Sequence, residues 1–267
     1  LGGCSVIGER IIPEEFRVAK TQYLLYLRHL FAYDFTVRNL LGEKSTVLEV
    51  GCGSGYGTHL ISKKAGKVIG LDVDRKAIEY TTGKYGSGNC RFSVYDGRTI
   101  PYADKTFDAV VSFQVIEHVD EDLNYAAEAY RVLKTGGLLI LTTPNKTYRL
   151  KPGQKPWNRY HKREYYPEEL ENVLRSKFSD IMVWGIQGSE EIQSLEKEKY
   201  KNVSALGAFL RRAVPESVKL ALIRMGRKIP WRSERESGFI DKYSISDYYV
   251  IKEGVRDSLD LLAVCRK

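Results

Sequence analysis

Cysteine is scarce in this chain, and its arrangement serves no structural purpose. Four cysteines, Cys4, Cys52, Cys90 and Cys265, are scattered through 267 residues without C-x-x-C spacing. That argues against a zinc site and a disulfide frame, and fits reduced thiols in a cytoplasmic protein. Long hydrophobic runs are missing too. None approaches the ~20 residues of a membrane span, and no signal-peptide pattern opens the chain. The start at Leu1-Gly2-Gly3, without Met, reads as a trimmed end. Acidic residues are outnumbered, 34 against 42 lysines and arginines, which leaves a net charge of +8 and an isoelectric point near 9.1. A basic surplus raises three anionic partners, namely nucleic acid, a membrane surface or a phosphorylated substrate, and discriminates weakly among them. The rest of the composition, 43% hydrophobic and 28% charged, is that of an ordinary globular protein with one large domain or two small ones.

The G-x-G-x-x-G fingerprint of dinucleotide binding is absent as well, because Tyr56 stands where the third glycine is needed. What stands there is Val47-Leu48-Glu49-Val50-Gly51-Cys52-Gly53-Ser54-Gly55-Tyr56-Gly57. An apolar, β-branched run stops at a glycine cluster, and Thr58 to Lys64 continues as a helix. Strand, tight loop and helix make the first unit of a doubly wound α/β sheet, whose ligands bind at the carboxyl ends of the strands. Glycines let the backbone turn sharply and lie bare against a ligand. Lys67 to Asp72 is a second strand ending in an acid. It lies about 20 residues past the loop, the spacing at which a carboxylate meets a ribose diol. Asp74 is placed to cap the helix from Arg75 to Lys84. Cys90 to Tyr95 alternates like a strand and ends at Asp96-Gly97, either a ligand contact or a plain turn.

The E-x-G-x-G-x-G pattern from Glu49 resembles motif I of the class I S-adenosylmethionine (SAM) methyltransferases. The elements that follow recur in that family's order over roughly 46–145. They are Asp72, Asp96, the stretch Ile100 to Val111, Ser112 to Val119, and Arg131 to Asn145 with Thr135 in place of the usual proline. The resemblance implies a Rossmann-like methyltransferase fold, a mostly parallel seven-stranded sheet with its last strand antiparallel. It implies SAM as cofactor, S-adenosyl-L-homocysteine as product, and a loop under the methionine half. It further implies a cofactor set of Glu49, Gly51, Cys52, Gly53, Gly55, Tyr56, Asp72, Val73, Asp96, Gly97, Phe113, Gln114 and Val115. Within that set Glu49 holds the amino group directly or through water, Asp72 the ribose, and Asp96 the adenine amino group. Asp108 is structural. Gly8 to Pro13 and Arg28 to Ala32 resemble the opening of bacterial methyltransferases tied to surface-polysaccharide synthesis, with His29 replacing a tyrosine. Arg10 and Arg28 are then either a guanidinium clamp on the cofactor carboxylate or surface arginines.

Methyl transfer from a sulfonium is a direct displacement, so the protein must align a nucleophile and help remove its proton. Glu117 and His118 sit just beyond the fourth strand. His118 is a base of suitable pKa or a structural residue at the junction. His161 falls on the histidine of N-P-F-H-V-K-E in the polysaccharide-associated relatives, and otherwise belongs to a solvated basic loop. These three are the candidate catalytic residues. The ubiquinone-pathway O-methyltransferases resemble the same stretch but carry a metal-serving glutamate where Gln114 stands. A neutral amide is a poor ligand for a hard cation, so no metal is expected.

Upstream, Pro13, Glu14 and Glu15 suit the first turn of a long helix whose buried face carries Leu24, Leu27, Phe31 and Phe35. Phe178 to Ile186 and Asp260 to Cys265 read as the last two strands. About 70 residues separate them, including a charged helix from Glu190 to Lys201 and another from Pro215 to Met225, with Arg211, Arg212, Arg227, Lys228, Arg232 and Arg235 nearby. Such a connection is a lid, extended for contacts in a homodimer, or a basic surface for a membrane or lipid-linked substrate. Tyr243, Tyr248 and Tyr249 lie in a strand-like stretch without an RNA-binding motif, which disfavours nucleic acid. The organisation expected is a helical cap over 1–45, a SAM-binding core over 46–187, a basic helical insertion over 188–258 and a last strand over 259–267. The function expected is transfer of a methyl to oxygen, less readily nitrogen, of a small molecule, favouring a sugar or glycan precursor. A quinone or polyprenyl-phenol O-methyltransferase and a non-catalytic SAM-binding protein are the alternatives.

Overall fold

The computed structural model describes residues 11–13, 15–17, 19–150, 153–156, 158, 160–198 and 238–267. Arg10, Glu14 and the helix expected from Pro215 to Met225, with its arginines, lie outside the described residues. One sheet organises the rest. Its strands are β1 (Thr46–Val50), β2 (Lys67–Asp72), β3 (Cys90–Val94), β4 (Phe107–Phe113), β5 (Leu133–Pro144), β6 (Asp180–Gly188), β7 (Tyr248–Ile251) and β8 (Asp260–Arg266). They lie in the order β3-β2-β1-β4-β5-β8-β6-β7. β1 to β5 pair in parallel, and β8 runs antiparallel between β5 and β6. The chain thus has the α/β, Rossmann-like methyltransferase architecture, with helices around a mostly parallel sheet.

Eight strands stand where seven are expected. The extra one, β7, is an edge strand on β6, from Gly185↔Ile251 to Gly188↔Tyr248. It is only four residues long and alternates weakly, Tyr248 buried and Tyr249 exposed. What holds it is tertiary: the Tyr248 hydroxyl donates to Leu24 O at 2.8 Å.

Central strands buried on both faces need apolar side chains on both, which is why Val47-Leu48 and Val110-Val111 read as continuous runs. Alternate residues divide between two cores. Val47, Val68, Val111 and Ile140 face one, while Leu48, Ile69, Val110 and Leu141 face the other. Helix α1 (Lys20–Asn39) and α2 (Tyr56–Ser62) cover the first face. α4 (Asp122–Val132) and α6 (Pro167–Arg175) cover the second, with α3 (Arg75–Tyr85) beside β2 and β3 and the one-turn α5 (Lys146–Arg149) after β5. Asp74 caps α3, its side chain accepting from Lys76 N at 2.8 Å. Asp108 ties three strands, accepting from Thr46 N and from Lys134 Nζ at 2.8 Å each. No described helix is long and apolar enough to cross a membrane.

The long helix begins at Lys20, not at Pro13. Before it comes a 3-10 turn, Glu15–Arg17. Leu24 and Leu27 are buried as expected, whereas Phe31 and Phe35 are half-buried and the inner face is instead filled by Tyr23, Tyr26 and Tyr33. Tyr33 lies on α2 so closely that a Cβ at Gly57 would sit 2.0 Å from its ring. Gly57→Ala should therefore destabilise the fold by about 1–3 kcal/mol, the usual cost of overpacking. Gly83→Ala is the internal comparison, since a Cβ there meets nothing within 4 Å, and it should stabilise helix α3 by up to about 1 kcal/mol. Urea denaturation of the two variants checks both signs.

Candidate active site

The chain turns from β1 into α2 through three glycines in the left-handed region, Gly51, Gly53 and Gly55, at φ +77, +53 and +75°. Any other residue is strained there, and at Gly51 a Cβ would also strike Val115 at 2.4 Å. The loop is locked to β2: Gly51 N and Cys52 N both donate to Leu71 O, at 2.7 and 2.9 Å. Asp72, at the end of β2, accepts from Gly53 N and from Asp74 N at 2.9 Å each. A carboxylate has about four lone-pair sites, so two amides hold Asp72 in place and leave capacity for a diol.

A cavity of about 540 Å³ opens at the carboxyl ends of the strands. Gly51, Gly53, Asp72, Val73, Asp96, Gly97, Gln114, Val115 and His118 line it, so the structure brings these predicted site residues together. Asp96 accepts from Arg98 N and Thr99 N, both at 2.8 Å, and these amides hold its carboxyl below the usual range. It is therefore both a turn residue and a cavity wall. Gln114 is held at φ +58°, an uncommon conformation for a side-chain-bearing residue, at the turn out of β4. Its amide nitrogen donates to Asp260 and Thr142 at 3.3 and 3.4 Å.

Eight predicted residues do not line this cavity: Glu117 and His161 of the catalytic set, and Arg28, Glu49, Cys52, Gly55, Tyr56 and Phe113 of the cofactor set. Around the latter, α1 packs against the loop through Tyr33. Glu49 is buried and accepts from the Tyr33 hydroxyl at 2.5 Å and from the Thr58 hydroxyl. Burial pushes its carboxyl up to about 7 against the pull of those two donors. The Tyr33 ring meets Tyr56 and Phe113 edge-on, with centroids 5.4 and 4.7 Å apart. Arg28, expected either to clamp the cofactor carboxylate or to lie at the surface, is buried, which corrects the surface reading. It is 4% exposed and faces Asp260 at 2.9 Å and Glu196 at 3.9 Å. A charge so buried needs a countercharge inside the protein, and Arg28 finds one in β8.

Glu117, His118 and His161 meet at one place, a potential ligand atom of each lying within 4.8 Å of the others. Glu117 is fully buried. Burial pushes it up to about 7, against the pull of His161, and its Oε2 accepts from Thr143 at 3.0 Å. The loop carrying His161 is pinned to the strand end by Lys162 N, which donates to Glu117 O at 2.7 Å. The two imidazoles meet edge to face, 4.8 Å between centroids. His118 Nδ1 faces Tyr160 O at 3.1 Å, and His161 Nδ1 faces Glu164 at 2.9 Å. Glu164 is the candidate site residue that sequence reasoning missed. Its signal was the three-residue step from His161, which lets a carboxylate orient an imidazole.

Residues 48–141 match the profile of a family described as a methyltransferase domain. The chain is 36% identical over 170 residues to a "Probable S-adenosylmethionine-dependent methyltransferase" of Mycolicibacterium smegmatis, a match that spans 63% of each chain. A relative of the same description from Mycobacterium tuberculosis is 29% identical over 268 residues, 97% of this chain and 88% of that one. A shorter match, 30% identical over 119 residues, reaches a ubiquinone biosynthesis O-methyltransferase of Dictyostelium discoideum and covers 40% of this chain and 37% of that one. Among solved structures, a possible histamine N-methyltransferase from Thermotoga maritima superposes with a TM-score of 0.56 at 18% identity, covering 94% and 99% of the two chains. At that identity the likeness is one of fold. The residues fit the cofactor that these relatives' names specify. Glycines whose Cβ positions are blocked or strained form a bare loop, with Asp72 bonded to it and Asp96 also lining the cavity as acceptors.

Glu49 gives a signed pH prediction. Its carboxyl is raised above an ordinary 4.5 to about 7. Its contribution is therefore fully favourable below about pH 4.5 and is lost as pH rises through 7. The loss is on the order of 3 kcal/mol at ~1.4 kcal/mol per unit. Glu49→Gln should flatten that decline, so the gap in melting temperature between variant and wild type should move in the variant's favour between pH 5 and pH 8 in a calorimetric scan.

Proposed function

We propose that this chain, whose core is a class I S-adenosylmethionine-dependent methyltransferase domain, transfers a methyl group to an oxygen of a small-molecule acceptor. A sugar or glycan precursor is the favoured class, and nitrogen is the less favoured atom. The observation that carries the reading is the meeting of Glu117, His118 and His161 beside the glycine-loop cavity. When bound, SAM supplies an electrophilic methyl on a sulfonium. The chain's own task is to bind, orient and deprotonate. Gly51, Gly53, Asp72 and Asp96 would hold the nucleoside half, while Gln114, Val115 and the Glu49 side of the loop would hold the rest. A hydroxyl is a weak nucleophile until it loses its proton, and a positioned imidazole is a suitable recipient. His161, oriented by Glu164, and His118, oriented by Tyr160 O, are the two candidates.

The sugar preference rests on the likeness of Gly8 to Pro13, Arg28 to Ala32 and the His161 loop to the polysaccharide-associated group. The quinone reading is supported by the ubiquinone-type relatives and weakened at Gln114, whose amide nitrogen is turned to Asp260. The basic residues of 199–237 extend the proposal to a lipid-linked acceptor at a membrane surface, or to a homodimer, in the cytoplasm.

Asp72→Asn should weaken binding of SAM and of S-adenosylhomocysteine at least tenfold in calorimetry, with the fold intact. His161→Ala or His118→Ala should leave that binding within twofold and lower turnover by roughly 10²–10⁴, the range of acid–base assistance. A methyl-transfer screen across nucleotide-sugars, glycans and phenols supplies the acceptor. If both histidine variants keep full turnover on it, neither imidazole activates the hydroxyl.

A further inference from the structure

Gln114 argued against a metal from the sequence, but the three-residue cluster does not include it. We propose that Glu117, His118 and His161 form a binding site for a divalent transition-metal ion, with Glu164, Thr143 and Tyr160 as its supporting residues.

Proximity comes first: one donor atom from each of the three side chains lies within 4.8 Å of the other two. Bonds of about 2.0–2.2 Å put the ligand atoms of a tetrahedral ion roughly 3.5 Å apart, so the three side chains need close by only about an ångström to share one ion. Ring chemistry comes second. A backbone carbonyl and a carboxylate can only accept hydrogen bonds, so His118 Nδ1 and His161 Nδ1 are the protonated nitrogens of their rings. In each neutral ring the lone pair is then on Nε2. This is the tautomer that a carboxylate or carbonyl behind an imidazole selects in metal centres. The third observation is a deficit. Glu117 Oε1 is buried and has no hydrogen-bond partner among the described residues, while Oε2 is held by Thr143. Glu164 Oε2 and Asp260 Oδ1 share that state, but Glu117 Oε1 belongs to the carboxyl that stands with both imidazoles, where a cation would partner it.

The donor set selects the class of ion. Two imidazoles and one carboxylate suit zinc, cobalt, nickel or ferrous iron, whereas magnesium and calcium take oxygen ligands and the former keeps its waters. Three protein ligands leave positions open, and His118 puts the site at the cavity wall. What the ion would do rests on the methyl transfer proposed above, and it takes the place of the imidazoles as the means of deprotonation. It would bind the acceptor hydroxyl and lower its pKa, so that the proton leaves to water and the oxygen lone pair forms the new bond to carbon as the carbon–sulfur bond breaks. Metal binding itself does not rest on that reading.

The test uses the full chain stripped with chelator and titrated with cobalt(II). Visible d–d absorption should saturate at one equivalent and survive a large excess of magnesium. His161→Ala and Glu117→Gln should each weaken cobalt binding at least 100-fold. Glu164→Gln should weaken it about 10–100-fold, the usual effect of losing a supporting partner. His59→Ala, half-buried on α2 and outside the cluster, should change nothing. Melting curves confirm that each variant is folded. Absence of stoichiometric cobalt and zinc binding would overturn the site, as would a spectrum unchanged in His161→Ala. Full methyl transfer by the stripped chain would overturn the ion's part in the reaction and leave the function standing. Tight cobalt binding without turnover on any acceptor would support the site and count against the function.

Discussion

A sheet covered by helices on both faces can offer a ligand nothing but its edges and its strand ends, and this chain puts its chemistry at the carboxyl ends. β1 delivers the glycine turn, β2 Asp72, β3 Asp96, β4 Gln114 through His118, and β5 the loop that returns with His161. Every one of these residues leaves its strand where the backbone can no longer pair and must turn. Positive φ at Gly51, Gly53, Gly55 and Gln114 marks how abruptly. The apolar continuity of Val47, Leu48, Val110 and Val111 is therefore as much a condition of function as any polar residue. It fixes the plane from which the loops are aimed.

Polar groups inside that frame are tied in pairs. Glu49 has Tyr33 and Thr58, Asp108 has Lys134, and Arg28 has Asp260. Removing one member of such a pair leaves the other stranded, which costs far more than the pair contributes. The Glu117 cluster breaks this habit. It gathers three chemically capable side chains beside an open cavity, and one of its oxygens is left without a partner. Buried oxygens of Glu164 and Asp260 share that state, but Glu117 is the one that stands with two imidazoles in a cluster able to hold an ion.

Much of the frame was legible in the residues. β2 begins and ends at the predicted positions, Asp74 caps as its placement requires, and the antiparallel β8 sits where the resemblance puts it. These features are local: apolar runs, turn residues and caps are written in consecutive letters. What was not legible is long-range. Nothing near Arg28 announces that Asp260 will neutralise it, and a four-residue strand such as β7 is too short to show a period. The tyrosine face of α1 was hidden for a related reason. Tyr23, Tyr26 and Tyr33 count as half-polar letters, yet each found a buried place for its ring. The site divides the same way: Asp72 was singled out by spacing and Asp96 by the family resemblance, and both line the cavity, whereas the Glu164 contact and the meeting of the two histidines are seen only in three dimensions.

The pairing of Arg28 with Asp260 and Glu196 has a consequence for the order in which this protein is made. α1 is translated well before Phe239, Tyr243, Tyr248 and Asp260, which complete its buried face. The Tyr23 hydroxyl reaches Tyr243 O across 220 residues of chain. Contacts of such sequence separation form late and slowly. On a ribosome α1 must therefore wait, its Tyr23 and Arg28 without those partners, while β1 to β5 and the glycine loop are already made.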